Sequence, residues 1–353
     1  MAEFNLEAIL RNNVKKLIPY SSARSEFEGD AQIFLDANEN SLGSPLTKWY
    51  NRYPDPLQIK VKEKLSSIKA VPVENIFIGN GSDECIDVLF RAFCDPGKDN
   101  VITCPPTYGM YEVSAHINDV FVKKIPLTPA FQLNLPAIEE AIDDNTKMIF
   151  LCSPNNPTGN SIEREDIEMI LNNYSGIVVI DEAYINFSRF RSFTQELSDY
   201  PNLVILQTLS KAWGLAALRV GMAFASPEII HVMNKIKPPY NINQASQDLA
   251  LQALEEVGQV NDMIREIVAQ RDLLAKELQT LPMVQTIYPS DANFLLVRVT
   301  EPKAIYKYLL ENGIVVRDRS SVELCAGCLR ITVGTPTENV SVINALKNWH
   351  SSQ

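Results

Sequence analysis

Histidine is scarce in this chain, with three among 353 residues, so a mechanism built on several imidazole bases or metal ligands has little support. Surplus positive charge is missing as well. The formal net charge of −11 argues against a nucleic-acid surface, because a phosphate backbone is held by excess lysine and arginine. It does not argue against small phosphorylated molecules, which a local arginine cluster can hold inside an acidic protein. No apolar run is long enough to span a bilayer, and no basic segment with an apolar core opens the sequence. The expectation is no membrane association and a cytoplasmic location. Met1 to Lys16 reads instead as a polar amphipathic helix. Internal repeats and low-complexity linkers are absent.

The six cysteines are scattered, mostly within apolar segments, and read as reduced core residues rather than a disulfide framework. Cys325-Ala-Gly-Cys328 has metal or redox spacing, but no second pair or nearby histidine completes a site. No metal is expected.

The length allows one large domain and a smaller one. Short apolar runs at Ile76–Gly79, Asn100–Cys104, Val120–Ile125, Lys147–Cys152, Ile177–Asp181, Leu203–Thr208 and Met222–Ala225 predict strands. Helical patterns separate several of them, at Asp83–Phe93, Thr107–His116, Leu135–Ile142 and Glu163–Asn172. Strands buried on both faces and spaced by helices predict an α/β domain with a mostly parallel sheet flanked by helices. Ligands in such sheets bind at the carboxyl ends of the strands. After Pro238-Pro239 the pattern changes to a long helical region, about Gln244 to Gln279. Strands at Val284–Ile287, Asn293–Val299, Ile314–Arg317 and Leu329–Val333 follow, with helices near Lys303–Asn312 and Thr337–Trp349. This predicts an N-terminal arm and part of the small domain over 1–40, a large domain over 41–240 and a small α+β domain over 241–353.

The most informative stretch is Thr208-Leu209-Ser210-Lys211-Ala212-Trp213-Gly214, continuing to Arg219-Val220-Gly221. It sets a lysine just after a strand, between hydroxyls and an arginine. A lysine that condenses with a cofactor aldehyde must be fixed and partly desolvated, so that its amine can be neutral and nucleophilic. The hydroxyls and the arginine suit a phosphate beside it. Four other segments fall on loops after predicted strands. Gly79-Asn80-Gly81-Ser82-Asp83-Glu84 can turn tightly and present helix-start amides to an anion. Ser153-Pro154-Asn155-Asn156-Pro157-Thr158-Gly159 makes a rigid loop that aims an asparagine. In Asp181-Glu182-Ala183-Tyr184 a carboxylate ends an apolar strand, where it could keep a pyridine nitrogen protonated. In Pro105-Pro106-Thr107-Tyr108-Gly109-Met110-Tyr111, Tyr108 could stack on a flat ring.

These segments, with Cys328-Leu329-Arg330-Ile331-Thr332-Val333-Gly334, occur in an order that resembles the fold-type I pyridoxal phosphate aminotransferases over nearly the whole chain. Within that family they are most similar to the histidinol-phosphate branch. The resemblance implies pyridoxal 5'-phosphate as cofactor, with Lys211 as the lysine that bonds it and moves the proton. It implies that Asp181 pairs with the ring nitrogen, Asn156 and Tyr184 bond the ring oxygen, and Tyr108 covers the ring. Gly81, Ser82, Asp83, Thr208, Ser210 and Arg219 would form the phosphate site. Departures are few. Trp213 and Ala217 stand where phenylalanine and glycine are frequent, and Ser41 stands where proline is common, which could alter the loop near the substrate.

Arg330 matches the family arginine that grips a carboxylate, and here it would grip the phosphate of histidinol phosphate instead. Arg317, Tyr20 and Asn38 are implied beside it, whereas Arg24 and Arg319 read as surface salt bridges. Arg52-Tyr53-Pro54-Asp55 implies a homodimer, with Tyr53 reaching the neighbouring subunit's cofactor phosphate. The implied reaction is transamination between L-histidinol phosphate or imidazole acetol phosphate and glutamate or 2-oxoglutarate, in histidine biosynthesis. The same motifs leave open a threonine-phosphate decarboxylase, an aromatic amino-acid aminotransferase, or a binding protein without catalysis.

Overall fold

Alternation along the central strands builds the main body of the protein. In the computed structural model, which describes residues 4–20, 33–46, 48 and 50–351, Phe77, Val101, Phe150 and Val179 enter one core. Their neighbours Ile78, Ile102, Ile149 and Ile180 enter another. A strand's side chains alternate faces, so a strand apolar at every position must be covered on both sides. The seven strands concerned are β1 (Ile76–Asn80), β2 (Asn100–Thr103), β3 (Phe121–Lys124), β4 (Thr146–Cys152), β5 (Ile177–Asp181), β6 (Leu203–Thr208) and β7 (Val220–Ala225), in the order β1-β7-β6-β5-β4-β2-β3. From β3 to β6 the pairings are parallel, while β7 runs antiparallel to both β6 and β1. Helices Ser82–Phe93, Met110–Ile117 and Pro227–Ile236 cover the Phe150 face, and Ile59–Lys69 and Arg164–Asn173 cover the other.

A second sheet, antiparallel and ordered β10-β11-β9-β8, is formed by β8 (Val284–Ile287), β9 (Phe294–Val299), β10 (Arg317–Asp318) and β11 (Cys328–Thr332). Helices Pro302–Glu311 and Pro336–Ser351 share its core through Ile305, Leu309, Ile343 and Trp349. The α/β class and the mostly parallel sheet expected from the sequence are therefore present. Among the described residues no helix is long and apolar enough to cross a membrane.

Several expected boundaries move. The helix expected from Thr107 begins at Met110, because Asn155 Nδ2 donates to the Pro106 carbonyl (2.8 Å) and holds that segment as a loop. The long region near 244–279 divides into Gln244–Leu254 and Val257–Gln279. The first of these packs Ala250 and Leu254 into the large sheet's core. The second begins there at Val260 and ends at Leu274 and Leu278 in the small sheet's core. At 1.5 Å per residue it is about 34 Å long, enough to reach from one core to the other. The N-terminal segment forms two short helices, Leu6–Ile9 and Asn12–Lys16. It is tied to the large sheet rather than the small one, through buried Leu10 and Val14 and through Arg11 Nη1 on the Arg91 carbonyl (2.9 Å). The expected strand over Ile314–Arg317 is reduced to β10, since the Ile314 amide still donates to Leu309 at the preceding helix end (2.8 Å).

Phe150 is fully buried and stacks on both Phe90 and Tyr111. Phe150→Ala is expected to lower unfolding free energy by about 3–5 kcal/mol, measured by urea denaturation. A loss below about 1 kcal/mol would contradict this account of the core.

Candidate active site

The carboxyl ends of β4, β5 and β6 open into a cavity of about 660 Å³. Ser82, Tyr108, Asn156, Asp181, Tyr184 and Lys211 line it from the large domain, and Arg317, Arg319 and Arg330 line it from the small one. The parallel topology explains the location, because loops gather where the strands end.

At the floor, Asp181 ends β5 with 4% of its surface exposed. One carboxylate oxygen accepts from the Tyr111 hydroxyl (2.7 Å) and the other from the Ala183 amide (3.0 Å). Burial pushes its pKa up, and these two hydrogen bonds only partly oppose that. A buried carboxyl in this state gains most from a cationic or N–H partner placed opposite it. Tyr111 has no role in the sequence-level assignment, although it lies one helical turn beyond Tyr108. Its ring is fully buried against Phe150. Tyr108 is half-buried at the side of the cavity, with its hydroxyl donating to Asp83 (3.1 Å).

One end of the cavity is shaped for an anion. Gly81 has φ +75°, and a Cβ there would sit 2.5 Å from Arg219 Nη2. A Cβ on Gly221 would meet the Ser82 amide nitrogen at 2.1 Å. Gly81 is thus favoured by its positive φ and Gly221 by the close approach of the Gly81-Ser82 backbone. Ser82 starts a helix whose first amides lack intrahelical acceptors. Thr208 Oγ1 accepts from the Ser210 amide (3.0 Å). Arg219 reaches Ser210 Oγ and Asp83, each at 3.4 Å. These donors converge as a phosphate or comparable anion would need.

Lys211 stands between this end and the arginines from the small sheet. Its Nζ lies 5.7 Å from the Tyr184 ring centroid, and its pKa is lowered. Desolvation is the largest cause and the positive charge of Arg330 the next, with Asp181 opposing. Tyr184 and Arg330 both pack on Phe294 of β9, with ring centroids 5.2 Å apart for the tyrosine and the guanidinium carbon 5.2 Å above the ring. Arg330 Nη1 donates to Asn156 Oδ1, tying β11 to the loop after β4. Arg317 pairs directly with Arg330 across β10 and β11, and directly opposed residues share a face. Arg319 does not form the surface salt bridge expected of it. It is half-buried, lines the cavity and makes no ion pair among the described residues. Its amide continues the pairing with β11 at Cys328, so it shares a strand face with Arg317.

Three sequence candidates are not gathered here. Tyr53 is 51% exposed and stacks on Tyr240 (4.5 Å), in a separate hollow that also contains Asn38. Tyr20 is 76% exposed. Arg24 lies outside the described residues. The Tyr53 segment is nonetheless anchored. Lys237, 7% exposed, donates from Nζ to the carbonyls of Pro56 (2.7 Å) and Pro239 (3.0 Å) and to Asn241 Oδ1 (3.1 Å). Asn241 in turn donates to Glu84 (2.8 Å), whose carboxylate accepts from the Asn80 amide. This chain of bonds joins the Tyr53 segment to the Gly81 turn. Cys325 and Cys328 are buried thiols, and burial raises their pKa values. Among the described residues no group of three or more His, Cys, Asp or Glu side chains could hold a metal.

A family model described as aminotransferase class I and II matches residues 36–346. The chain is 56% identical over 346 residues to a histidinol-phosphate aminotransferase of Cytophaga hutchinsonii, covering 98% of this chain and 99% of that protein. In fold it resembles the crystal structure of the histidinol-phosphate aminotransferase from Clostridium acetobutylicum (TM-score 0.79, 23% identity, 86% of this chain and 92% of that one). It also resembles L-threonine-O-3-phosphate decarboxylase from Porphyromonas gingivalis (TM-score 0.72, 25% identity, 86% and 91%).

A pH dependence follows from the geometry. The positive charge of Arg330 disfavours the protonated Lys211 amine, so Arg330→Gln should move the Lys211 pKa upward. The rate of Lys211 reductive methylation against pH, followed by mass spectrometry, should then reach half its maximum at a higher pH than in the unaltered protein. An unchanged or lower midpoint would refute the coupling.

Proposed function

The chain belongs to the class I and II aminotransferases, and on that premise we propose that it moves an amino group between L-histidinol phosphate and 2-oxoglutarate, with glutamate as donor in the biosynthetic direction of histidine formation. The observation that carries this reading is a cavity with a lysine of lowered pKa between two anion-binding ends, in a chain 56% identical over almost its whole length to a protein of that name.

Pyridoxal 5'-phosphate fits the residues present. The buried Asp181 carboxyl calls for an N–H or cationic partner, and the space between Gly81, Gly221 and Arg219 has no room for a side chain and abundant room for donors. When bound, this group supplies an electron-withdrawing ring that stabilises negative charge on the substrate carbon losing a proton. Asp181, held by Tyr111 and the Ala183 amide, keeps the proton on the ring nitrogen. Asn156 and Tyr184, both lining the cavity, would supply an amide N–H and a phenol for the ring oxygen. Tyr108 flanks the ring face. The Ser82 amide, Thr208, Ser210 and Arg219 hold the cofactor phosphate, and Asp83 orients Arg219. Lys211 would hold the cofactor at rest, and its lowered pKa leaves the amine able to accept a proton from the substrate carbon. Arg330 and Arg317, opposed on one sheet face, grip the substrate's anionic group. A bidentate guanidinium accepts either phosphate or carboxylate, so histidinol phosphate and glutamate can use the same end in turn.

We infer further that the active species is a cytoplasmic homodimer. Tyr53 sits away from its own cavity on an anchored segment, which supports its reaching the phosphate site of a second copy. Tyr20 and Asn38 would join the substrate pocket in that assembly. Six free buried thiols suit a reducing compartment.

Lys211→Ala should reduce glutamate formation from L-histidinol phosphate and 2-oxoglutarate by at least about 10²-fold and remove the absorption band that depends on the lysine–cofactor bond. Near-normal turnover in that variant would reject the role of Lys211. Carbon dioxide released from threonine phosphate by the unaltered protein, with no glutamate formed in the first assay, would favour decarboxylation. Sedimentation should give twice the 39.6 kDa chain mass, and a monomer at working concentration would reject the shared site.

A further inference from the structure

The arginine-rich end of the cavity contains one cation more than the reading above uses. Arg319 follows β10 immediately, and its backbone is fixed: its amide donates to the Cys328 carbonyl (2.9 Å), and its carbonyl accepts from the Val322 amide (2.9 Å). The side chain is half-buried in the cavity wall beside Arg317 and Arg330. Its Nε is buried without a hydrogen-bond partner, and the same holds for Arg330 Nε. Among the described residues no carboxylate forms an ion pair with any of the three guanidiniums. A buried N–H without an acceptor is costly, and three neighbouring guanidiniums repel one another. Arg317 and Arg319 both press the Arg330 pKa downward, after desolvation. Such a cluster is stabilised by an anion of more than one charge.

A single carboxylate is satisfied by one bidentate arginine. A phosphate monoester dianion has three terminal oxygens and close to two charges near neutral pH. We propose that Arg319 is a specificity residue that holds the phosphate dianion of the substrate jointly with Arg317 and Arg330, and so favours phosphorylated amines over amino acids that offer only a carboxylate. This rests on the proposed reaction, and it adds the residue that separates its phosphorylated substrate from its carboxylate substrate. Arg330 and Arg317 serve both, while Arg319 adds the contact that the second phosphate charge calls for.

The test uses the cofactor-loaded protein and the variants Arg319→Gln and Arg319→Lys. With Arg319→Gln, KM for L-histidinol phosphate should rise at least about tenfold, the loss expected for one charge-assisted hydrogen bond, with little change in kcat. The half-reaction with glutamate should change by less than about threefold, on the argument that one arginine satisfies a carboxylate. In the unaltered protein KM for the phosphorylated substrate should fall as pH rises through about 6, where the dianion forms. That fall should shrink in Arg319→Gln and be partly restored in Arg319→Lys. Equal losses on both substrates would assign Arg319 a merely structural part and overturn the proposal, as would an unchanged KM for histidinol phosphate. Failure of the unaltered protein to turn over histidinol phosphate at all would instead overturn the proposed reaction, a separate outcome read from the same assay.

Discussion

The site depends on a carboxyl group placed where water cannot reach it. Asp181 ends a strand buried on both faces, and its burial raises its pKa despite two well-formed hydrogen bonds. An ionised carboxylate in such surroundings is unfavourable until a positive partner arrives. Under the proposed reading, this desolvation would become affinity and orientation for a ring nitrogen that carries a proton. Tyr111 matters for the same reason. Its ring is part of the Phe150 core, so its hydroxyl cannot swing away, and core packing sets the position of the carboxylate.

Charge is distributed around that floor with a consistent logic. The chain as a whole is acidic, yet Arg219 stands at one end of the cavity and Arg317, Arg319 and Arg330 stand at the other. Lys211 lies between them and its pKa is lowered by desolvation and by two of those arginines, with Asp181 and Asp83 opposing. The positive charges lining the cavity thus also favour the neutral Lys211 amine. Phe294 couples the two domains in this arrangement, because Tyr184 and Arg330 pack on the same ring.

Much of this was legible before any coordinates. Unbroken apolar strands such as Ile177–Asp181 required covering on both faces, and that requirement put Asp181, Asn156 and Lys211 on neighbouring loops. The failures have physical causes too. Periodicity continued through Thr107–Gly109, but a side-chain bond from Asn155 to the Pro106 carbonyl holds that segment as a loop. Periodicity also ran through Glu255-Glu256, where the helix breaks so that Leu254 and Val260 can both reach the large core. Arg319 read as a surface salt bridge, but pairing with β11 puts it on the face of Arg317, in the cavity wall. Tyr20, Asn38 and Tyr53 were grouped with the site by resemblance, whereas within one chain they lie apart from Lys211.

The sequence by itself determined the α/β class, the order of the loops and the residue types offered at each strand end, because these follow from alternation and from local turn chemistry. Tertiary structure decided the distances on which chemistry depends. The close approach of Gly221 to Ser82 sets the position of the Gly81-Ser82 turn, and the hydroxyl of a core tyrosine fixes Asp181. The pairing of β10 with β11 sets Arg317 opposite Arg330. Each joins residues distant in sequence through packing or pairing, and no local pattern encodes such contacts.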